Sequence, residues 1–429
     1  MSIWTRRGLV IQAGLGAAAA GVAAPVLADE RLPHQARGWI CVPCGCAMTG
    51  LVFDAPGECP ACGMTLVANS EDGEGEAPDW LPPQLEVAVL HQPTAFPAER
   101  RLHLVYEVHL RNHGRSGLPI RAIEVHDPDR LELGSLALVS GRDLAGLLVP
   151  LGRRALAIGG SESRVLPGGG SAVAFLSYSV EAGQPAPERV SHRILLEAGT
   201  VAGPTVRATS TELKRLLPPV GGTGWVADGG PAKPSHHRFG LIVFNGATCL
   251  ARRYAIDWKR YLEGATFSGD PADPRSYHCY DQPVMAVADA VVALAADGFP
   301  DNVPRTSAGF SPAIPVSLDT SAGNMVVLDL GGGQYAHYAH LKPGSIRVRS
   351  GDRVRRGQIL GHIGNSGDSR EPHLHFHVSN GPEILTSEGL PYVLDEFWAH
   401  TAHGREHRRS ELPLGGARID FANFDRSQV

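Results

Sequence analysis

The chain lacks the features that mark nucleic-acid-binding and membrane-spanning proteins. Its 39 Lys and Arg residues against 44 Asp and Glu residues give a formal charge of −5, which is mild for 429 residues. It has no long Lys/Arg run, and after the N-terminal segment it has no apolar run long enough to cross a bilayer. We therefore expect neither a nucleic-acid partner nor a transmembrane segment in the mature chain.

Glycine and proline, by contrast, are abundant. The chain has 51 Gly and 33 Pro residues, and short strand-like runs dominate it. A chain of this length rarely forms one compact domain, so two or three domains are expected. The predicted fold class is mainly β.

Residues 1–28 have the composition of a targeting segment. An Arg6-Arg7 pair precedes a Gly/Ala-rich apolar run, and the small residues Val26 and Ala28 suit cleavage after Ala28. The weak hydrophobicity favours a twin-arginine signal, and an ordinary secretory signal is the alternative. Either signal predicts export to the periplasm or cell envelope.

Five of the seven cysteines lie between residues 39 and 67, in a predicted metal-binding module over residues 37–68. Cys41 and Cys44 form one Cys-x-x-Cys-Gly turn, and Cys59 and Cys62 form another. Two such turns are typical of a tetrahedral four-thiolate zinc site. A segment this short cannot bury a large core, so a metal staple is expected.

Two alternatives stay open for the module. Exported cysteines often form disulfides, although five cysteines leave one unpaired. Cys46, Met48 and Met64 add soft ligands that also suit copper(I). The stretch "PGECPACGMTL" resembles small heavy-metal-binding modules of efflux proteins, whereas "CVPCGCAM" is closer to a zinc ribbon.

The middle of the chain is predicted to be a β-sandwich. An acidic linker over residues 69–84 precedes short alternating strands over residues 85–200. Their even spacing indicates an antiparallel, immunoglobulin-like sandwich. A Pro/Gly-rich linker is expected over residues 216–235, before the last domain.

Histidines at strand spacing are the main chemical signal of the last domain. In "EPHLHFHV" the side chains of His373, His375 and His377 alternate with apolar ones, so they share one strand face. Two imidazoles spaced in this way can present a metal ligand and a catalytic base to one pocket. His340, in "QYAHYAHL", is expected to face the same pocket from a neighbouring strand.

Residues 236–395 resemble the lysostaphin/LytM family of zinc endopeptidases, which cut peptidoglycan cross-links. The resemblance rests on "DQPVMAVADAVV", "YAHL", "GDRVRRGQILGHIGNSG" and "PHLHF". It implies an antiparallel β domain in which Asp257 and His375 bind zinc. It also implies that His373 and His340 serve the attacking water and the developing oxyanion.

One position departs from that family pattern. Arg253 stands where the family has its first zinc-binding histidine, four residues before Asp257. A guanidinium stays protonated and has no free lone pair, so it cannot bind a cation. We expect Arg253 to pair with Asp257, and a histidine at position 253 to complete the ligand set.

Other residues near this position offer replacement ligands. Those near in sequence are His236, His237, Cys249, His278 and Cys279, none at the family spacing. Cys249 and Cys279 could instead form a disulfide, and the sequence leaves this open.

Three functions remain open from the sequence. One is an exported zinc endopeptidase that cuts peptidoglycan cross-link peptides. The second is an inactive derivative that binds peptidoglycan or regulates a cell-wall hydrolase. The third is a zinc- or copper-binding envelope protein. The basic segment within residues 396–429 is expected to be a solvated tail.

Overall fold

The computed structural model describes residues 38–41, 46–48, 51–68, 81–151, 165–180, 184–209, 211–304 and 309–422. The predicted targeting segment, Cys44 and residues 69–80 lie outside them. The chain divides into two compact units between Asp72 and Gly73, and each is described on its own. The described residues are mostly in antiparallel strands, which confirms the predicted fold class. No helix in this part of the chain is both long and apolar enough to cross a membrane.

The first unit contains a small three-stranded antiparallel sheet. Its strands are β1 (Trp39–Ile40), β2 (Val52–Phe53) and β3 (Val67–Ala68), in the order β2-β1-β3. Its buried cluster consists of Cys41, Cys59 and Leu66. So small an apolar core stabilises little, which agrees with a need for a metal staple.

The second unit begins with the predicted β-sandwich. Its strands are β4 (Leu85–Ala88), β5 (Phe96–Ala98), β6 (Arg101–Asn112), β7 (Leu118–His126), β8 (Ser135–Ser140), β9 (Leu148–Pro150), β10 (Val165–Leu166), β11 (Ser171–Val180), β12 (Arg189–Leu196), β13 (Gly199–Ala202) and β14 (Val206–Arg207). One sheet has the order β4-β6-β11-β9, with β5 beside β6, and the other has β10-β7-β12-β13, with β8 beside β7 and β14 beside β12. A 3-10 turn (Leu131–Leu133) follows β7, and a short helix α1 (Gly141–Leu147) connects β8 to β9.

The first sheet of the sandwich is buried on both faces. Along β6, Leu104, Tyr106 and Val108 point into the sandwich core. The alternate residues Val105 and Glu107 are also buried, at 0% and 4% exposure. Val105 belongs to the core of the following domain, so this sheet packs directly against that domain.

A large mixed sheet forms the C-terminal domain. The strands of this domain are β15 (Lys214–Leu216), β16 (Trp225–Asp228), β17 (Ile242–Phe244), β18 (Ala247–Cys249), β19 (Ile256–Arg260), β20 (Pro283–Met285), β21 (Ala290–Ala296), β22 (Asn324–Asp329), β23 (Tyr335–Leu341), β24 (Arg353–Val354), β25 (Ile359–His362), β26 (Leu374–Ser379), β27 (Gly389–Leu390), β28 (Tyr392–Thr401), β29 (Gly404–Glu411) and β30 (Arg418–Asp420). The order in the large sheet is β15-β28-β30-β16-β19-β26-β23-β22-β21-β24, with β29 beside β28 and β27 beside β26. Among its described strands, only the β15–β28 pair is parallel. β17 pairs with β18 and β20 with β25 in two small separate sheets, and a 3-10 turn (Pro274–Ser276) precedes β20.

Two segments expected to be unstructured belong to this sheet. The predicted linker over residues 216–235 contains β16, whose Trp225 is 1% exposed. The predicted tail over residues 396–429 contains most of β28 and all of β29 and β30, with Phe397 and Ile419 in the main core. These strands were not predicted from the sequence, because the segments are rich in Gly, Pro and charged residues. The few apolar residues of these strands become buried only when the strands pair with distant ones.

A buried ion cluster joins the sandwich to the C-terminal domain. Arg253 donates from Nε to Glu107 at 2.9 Å, from Nη2 to Glu388 at 2.8 Å and from Nη1 to the Gly389 carbonyl at 3.0 Å. Arg238 also pairs with Glu107. Burial alone would raise the pKa of Glu107, but the two guanidinium groups outweigh it and hold the pKa at about 2.

The expected ion pair between Arg253 and Asp257 is therefore wrong. All three guanidinium nitrogens of Arg253 are engaged by Glu107, Glu388 and a carbonyl group on the side facing the sandwich. Position 253 does not point toward the predicted zinc site.

This geometry predicts that Arg253→His lowers the free energy of unfolding by about 3–5 kcal/mol, because it leaves buried carboxylates without their partner. Zinc content is expected to stay unchanged. Denaturant unfolding and metal analysis measure both. Arg275→His is the control, since Arg275 forms an exposed pair with Asp273 and its loss should leave the unfolding midpoint in place. A stable Arg253→His protein that gains a zinc ion would contradict this packing.

Candidate active site

The strand register brings the predicted site residues together. Asp257 on β19 lies directly opposite His375 on β26, and His375 lies opposite Ala339 on β23. Residues directly opposite each other in an antiparallel pair point to the same face. The carboxylate of Asp257 and the imidazole of His375 therefore meet, with Oδ1 and Nδ1 2.9 Å apart.

His340 reaches this face through an unusual backbone conformation. Because Ala339 is opposite His375, regular alternation would point the next side chain to the other face of the sheet. His340 instead has a φ of 64°, in the left-handed region that is costly for a residue with a Cβ. Its ring comes to lie 4.9 Å from that of His373 and 5.9 Å from that of His375. The left-handed backbone conformation at His340 therefore places its side chain in the site.

The alternation predicted for the His-x-His strand is confirmed. The apolar residues Leu374, Phe376 and Val378 belong to the main core, whereas His373 and His375 line a cleft of about 770 Å³ on the other face. The third histidine, His377, lies deeper, and its Nδ1 is 3.0 Å from Nε2 of His375. His377 is therefore a neighbour of the site and not part of its open surface.

Two histidines just before β17 complete the cluster. Nε2 of His237 lies 3.3 Å from Oδ1 of Asp257, and Nε2 of His236 lies 3.4 Å from Oδ2. These three residues offer ligand atoms that all lie within 4.8 Å of one another. Nδ1 of His237 donates to the Gly229 carbonyl at 2.9 Å, which leaves the Nε2 lone pair facing Asp257. His237 is thus placed to replace the ligand missing at position 253.

The other two predicted histidines are held in the same tautomer. Nδ1 of His340 donates to the Ser366 carbonyl at 2.8 Å, and Nδ1 of His373 donates to the Glu371 carbonyl at 2.7 Å. A carbonyl can only accept, so in each neutral ring the lone pair is on Nε2. Nε2 of His373 is 3.4 Å from Asp257.

The donor set around Asp257 has the chemistry of a zinc site. Zinc binds imidazole nitrogens and carboxylate oxygens, which must be unprotonated and ionised respectively. Burial lowers the pKa of His375 to about 4, so its ring is neutral at pH 7. Burial opposes ionisation of Asp257, but the surrounding histidines hold its pKa well below the ordinary value. Asp257, with His236, His237 and His375 around it, therefore offers enough donors for a metal with three protein ligands.

Contacts with the sandwich hold the segment that carries His236 and His237. The next residue, Arg238, pairs with the buried Glu107 and donates to the Leu176 carbonyl. Phe239 packs edge-on against Phe175 of β11, with ring centroids 5.0 Å apart. The sandwich therefore supports the proposed replacement ligand.

The cysteine module forms a second candidate metal site. Cys41, Cys46, Cys59 and Cys62 place their sulfurs within 4.8 Å of one another. Individual Sγ–Sγ distances are 3.5 Å for Cys41–Cys62, 3.8 Å for Cys41–Cys46 and 3.9 Å for Cys46–Cys59. A tetrahedral site with zinc–sulfur bonds of about 2.3 Å separates its sulfurs by about 3.8 Å. Cys46 is thus the fourth member of this set of sulfurs. The sequence predicted Cys44 instead, which lies outside the described residues.

The remaining two cysteines do not form the disulfide that the sequence left open. Cys249 and Cys279 are both free and buried. The thiol of Cys279 donates to the Pro372 carbonyl at 3.0 Å. Neither residue lines the cleft beside Asp257.

Comparisons with known proteins match part of each candidate site. Residues 277–385 match peptidase family M23, and residues 45–69 match the heavy metal binding domain. The chain therefore carries an M23 peptidase domain on its C-terminal side and a heavy metal binding domain near its N-terminus. The second match includes Cys46, Cys59 and Cys62 but neither Cys41 nor Cys44.

Individual relatives share only part of the chain. It is 34% identical over 127 residues to the peptidoglycan DD-endopeptidase ShyA of Vibrio cholerae serotype O1, a match that spans 30% of this chain and 26% of the relative. Similar solved structures include the catalytic domain of lysostaphin from Staphylococcus simulans, with 21% identity, a TM-score of 0.22 and coverage of 39% of this chain and 88% of that one. The deep-sea M23 metalloprotease pseudoalterin matches with 14% identity, a TM-score of 0.26 and coverage of 51% and 100%.

His237→Ala is expected to weaken metal binding in the cleft by more than about 100-fold, because loss of an outer-shell partner alone costs 10- to 100-fold. Cobalt(II) titration measures this, since thiolate absorption bands report the cysteine site separately. The control is His278→Ala, whose side chain does not line the cleft. Equal affinities of His237→Ala and wild type would remove His237 from the ligand set.

Cys46→Ser is expected to weaken the thiolate–cobalt absorption of the module and its affinity for the metal. The reason is the position of its sulfur among those of Cys41, Cys59 and Cys62. Cys249→Ser, which removes a buried thiol elsewhere, should leave these bands unchanged. Full absorption in Cys46→Ser together with loss in Cys44→Ser would instead support the set expected from the sequence.

Proposed function

We propose that the protein is a zinc-dependent endopeptidase of the cell envelope that hydrolyses cross-link peptides of peptidoglycan. The observation that carries this proposal is the position of His237. Its Nε2 faces Asp257, so three protein ligands are available although position 253 holds an arginine. The retained His340 and His373 line the same open cleft.

Zinc, when bound by Asp257, His375 and His237, would polarise the scissile carbonyl and lower the pKa of a bound water. His373 is the proposed general base, because the Glu371 carbonyl fixes its ring and leaves the Nε2 lone pair on the cleft side. His340, held by Ser366, is proposed to stabilise the developing oxyanion in its protonated form, because the neutral ring has only a lone pair on Nε2. When protonated, either ring can return a proton to the leaving amine.

An envelope location is supported from two directions. The relative ShyA is named a peptidoglycan DD-endopeptidase, which is consistent with an envelope location for this chain. The N-terminal Arg6-Arg7 segment has the composition of a twin-arginine signal. We therefore propose export to the periplasm or cell envelope.

A second role, heavy-metal binding, is favoured by the four cysteine sulfurs of the N-terminal module. Their spacing agrees with a tetrahedral ion, and zinc is the proposed occupant. Copper(I) is the alternative, because thiolates bind both metals.

The test of the proposed function is digestion of purified peptidoglycan by the zinc-loaded chain, followed by mass spectrometry of the fragments. We expect loss of cross-linked peptides, abolished by a chelator and restored by zinc. His373→Ala should slow cleavage by at least about 100-fold, since a positioned acid or base contributes that much.

His362→Ala is the matched control, because His362 is a half-buried histidine outside the cleft. It should cleave as wild type does. A zinc-loaded wild-type chain that binds peptidoglycan but leaves every cross-link intact would contradict the proposal and leave the binding or regulatory role.

A further inference from the structure

Two adjacent arginines, Arg252 and Arg253, point in different directions. Arg253 is buried in the ion cluster with the sandwich. Arg252 is half-buried and lines the cleft that contains Asp257, His340 and His373. Its guanidinium lies against the segment that carries the proposed replacement ligand, 2.6 Å from the place a side chain at Gly240 would occupy.

Three cationic side chains line the cleft, and two of them have carboxylate partners. Lys259 pairs with Asp228 at 2.6 Å and with Glu371 at 2.7 Å. Arg370 lies 3.5 Å from Asp368 and stacks over the ring of Phe310.

Arg252 differs from both of them. Among the described residues its guanidinium makes no hydrogen bond and no ion pair. The nearest negative groups act on it only through space, from Asp257 and Asp368.

An unpaired, partly desolvated guanidinium is costly unless a ligand supplies its partner. Burial lowers the pKa of Arg252, because removal from water disfavours the charged guanidinium. Its planar fork of donors matches a carboxylate, which accepts two parallel hydrogen bonds from it. The Asp257 carboxylate is already shared among histidines, so it does not serve as that partner. The cleft is also lined by the apolar residues Val316, Leu318 and Ile384. These side chains cannot bind an anion in place of Arg252.

We propose that Arg252 binds a free carboxylate of the substrate peptide close to the scissile amide. Arg252 is then a specificity residue that selects carboxylated cross-link peptides over amidated ones. This inference rests on the proposed function, and it adds the chemical class of the group next to the bond that is cut.

The test uses two cross-linked peptides that differ only in whether the carboxyl group next to the scissile amide is free or amidated. Their binding is measured by calorimetry with the metal-free full chain, and their cleavage with the zinc-loaded chain. Wild type is expected to bind and cleave the free acid about 10- to 100-fold better, the usual range for a charge-assisted hydrogen bond. Arg252→Gln should remove this preference by weakening only the free acid.

Two further variants separate charge from geometry. Arg252→Lys keeps the charge but loses the two parallel donors, so it should retain only part of the preference. Arg370→Gln removes a cleft cation that already has a partner. It should therefore change the affinity and the cleavage rate of both peptides by the same factor.

If wild type cleaves both peptides equally, or if Arg252→Gln weakens both equally, the carboxylate assignment is overturned while the peptidase function stands. If the zinc-loaded wild type cleaves neither peptide and also fails on peptidoglycan, the function itself fails. Calorimetry still decides the assignment in that case: a preference for the free acid that disappears in Arg252→Gln supports it, and the lack of such a preference overturns it.

Discussion

The buried carboxylate of Glu107 is the constraint on which the arrangement of the second unit depends. It lies on the outer face of a sandwich strand and is covered by the C-terminal domain. A buried charge of this kind must be paired, and Arg253 and Arg238 supply the pairing from two different segments. One interaction therefore holds the turn before β19 and the segment before β17 in place.

One of these two segments lacks the ligand that the family resemblance implies, and the other offers a histidine in its place. The turn before β19 has an arginine where the family resemblance implies a zinc ligand, and this arginine points away from the cleft to Glu107 and Glu388. The segment before β17 brings His237 to Asp257, next to the arginine that binds Glu107. In the proposed ligand set, the ligand that the family resemblance places in the turn before β19 is replaced by His237, from a segment that the sandwich supports. The sandwich is thus part of the scaffold of the site and not only a spacer.

Much of the site could be predicted from local sequence. Strand alternation correctly separated His373 and His375 from Leu374 and Phe376, because the period of a strand is two whatever it packs against. The short strands and frequent turns of the middle region also predicted its sandwich. The domain limits were less predictable, since β16 and β28–β30 are weak strand patterns that become buried only by pairing with distant strands.

By itself, the sequence determined which residue types are present and which strand face each one shares with its neighbours, since both follow from covalent order and strand geometry. Only the tertiary structure decided which residues pair with Arg253. It also decided that His237 lies beside Asp257 and that the His340 side chain points into the cleft. Each of these depends on contacts between distant segments or, for His340, on a positive φ that the surrounding strands impose. The position of Cys46 among the clustered sulfurs was likewise decided by the folded module, in which the four sulfurs lie within 4.8 Å of one another, and not by their spacing in the sequence.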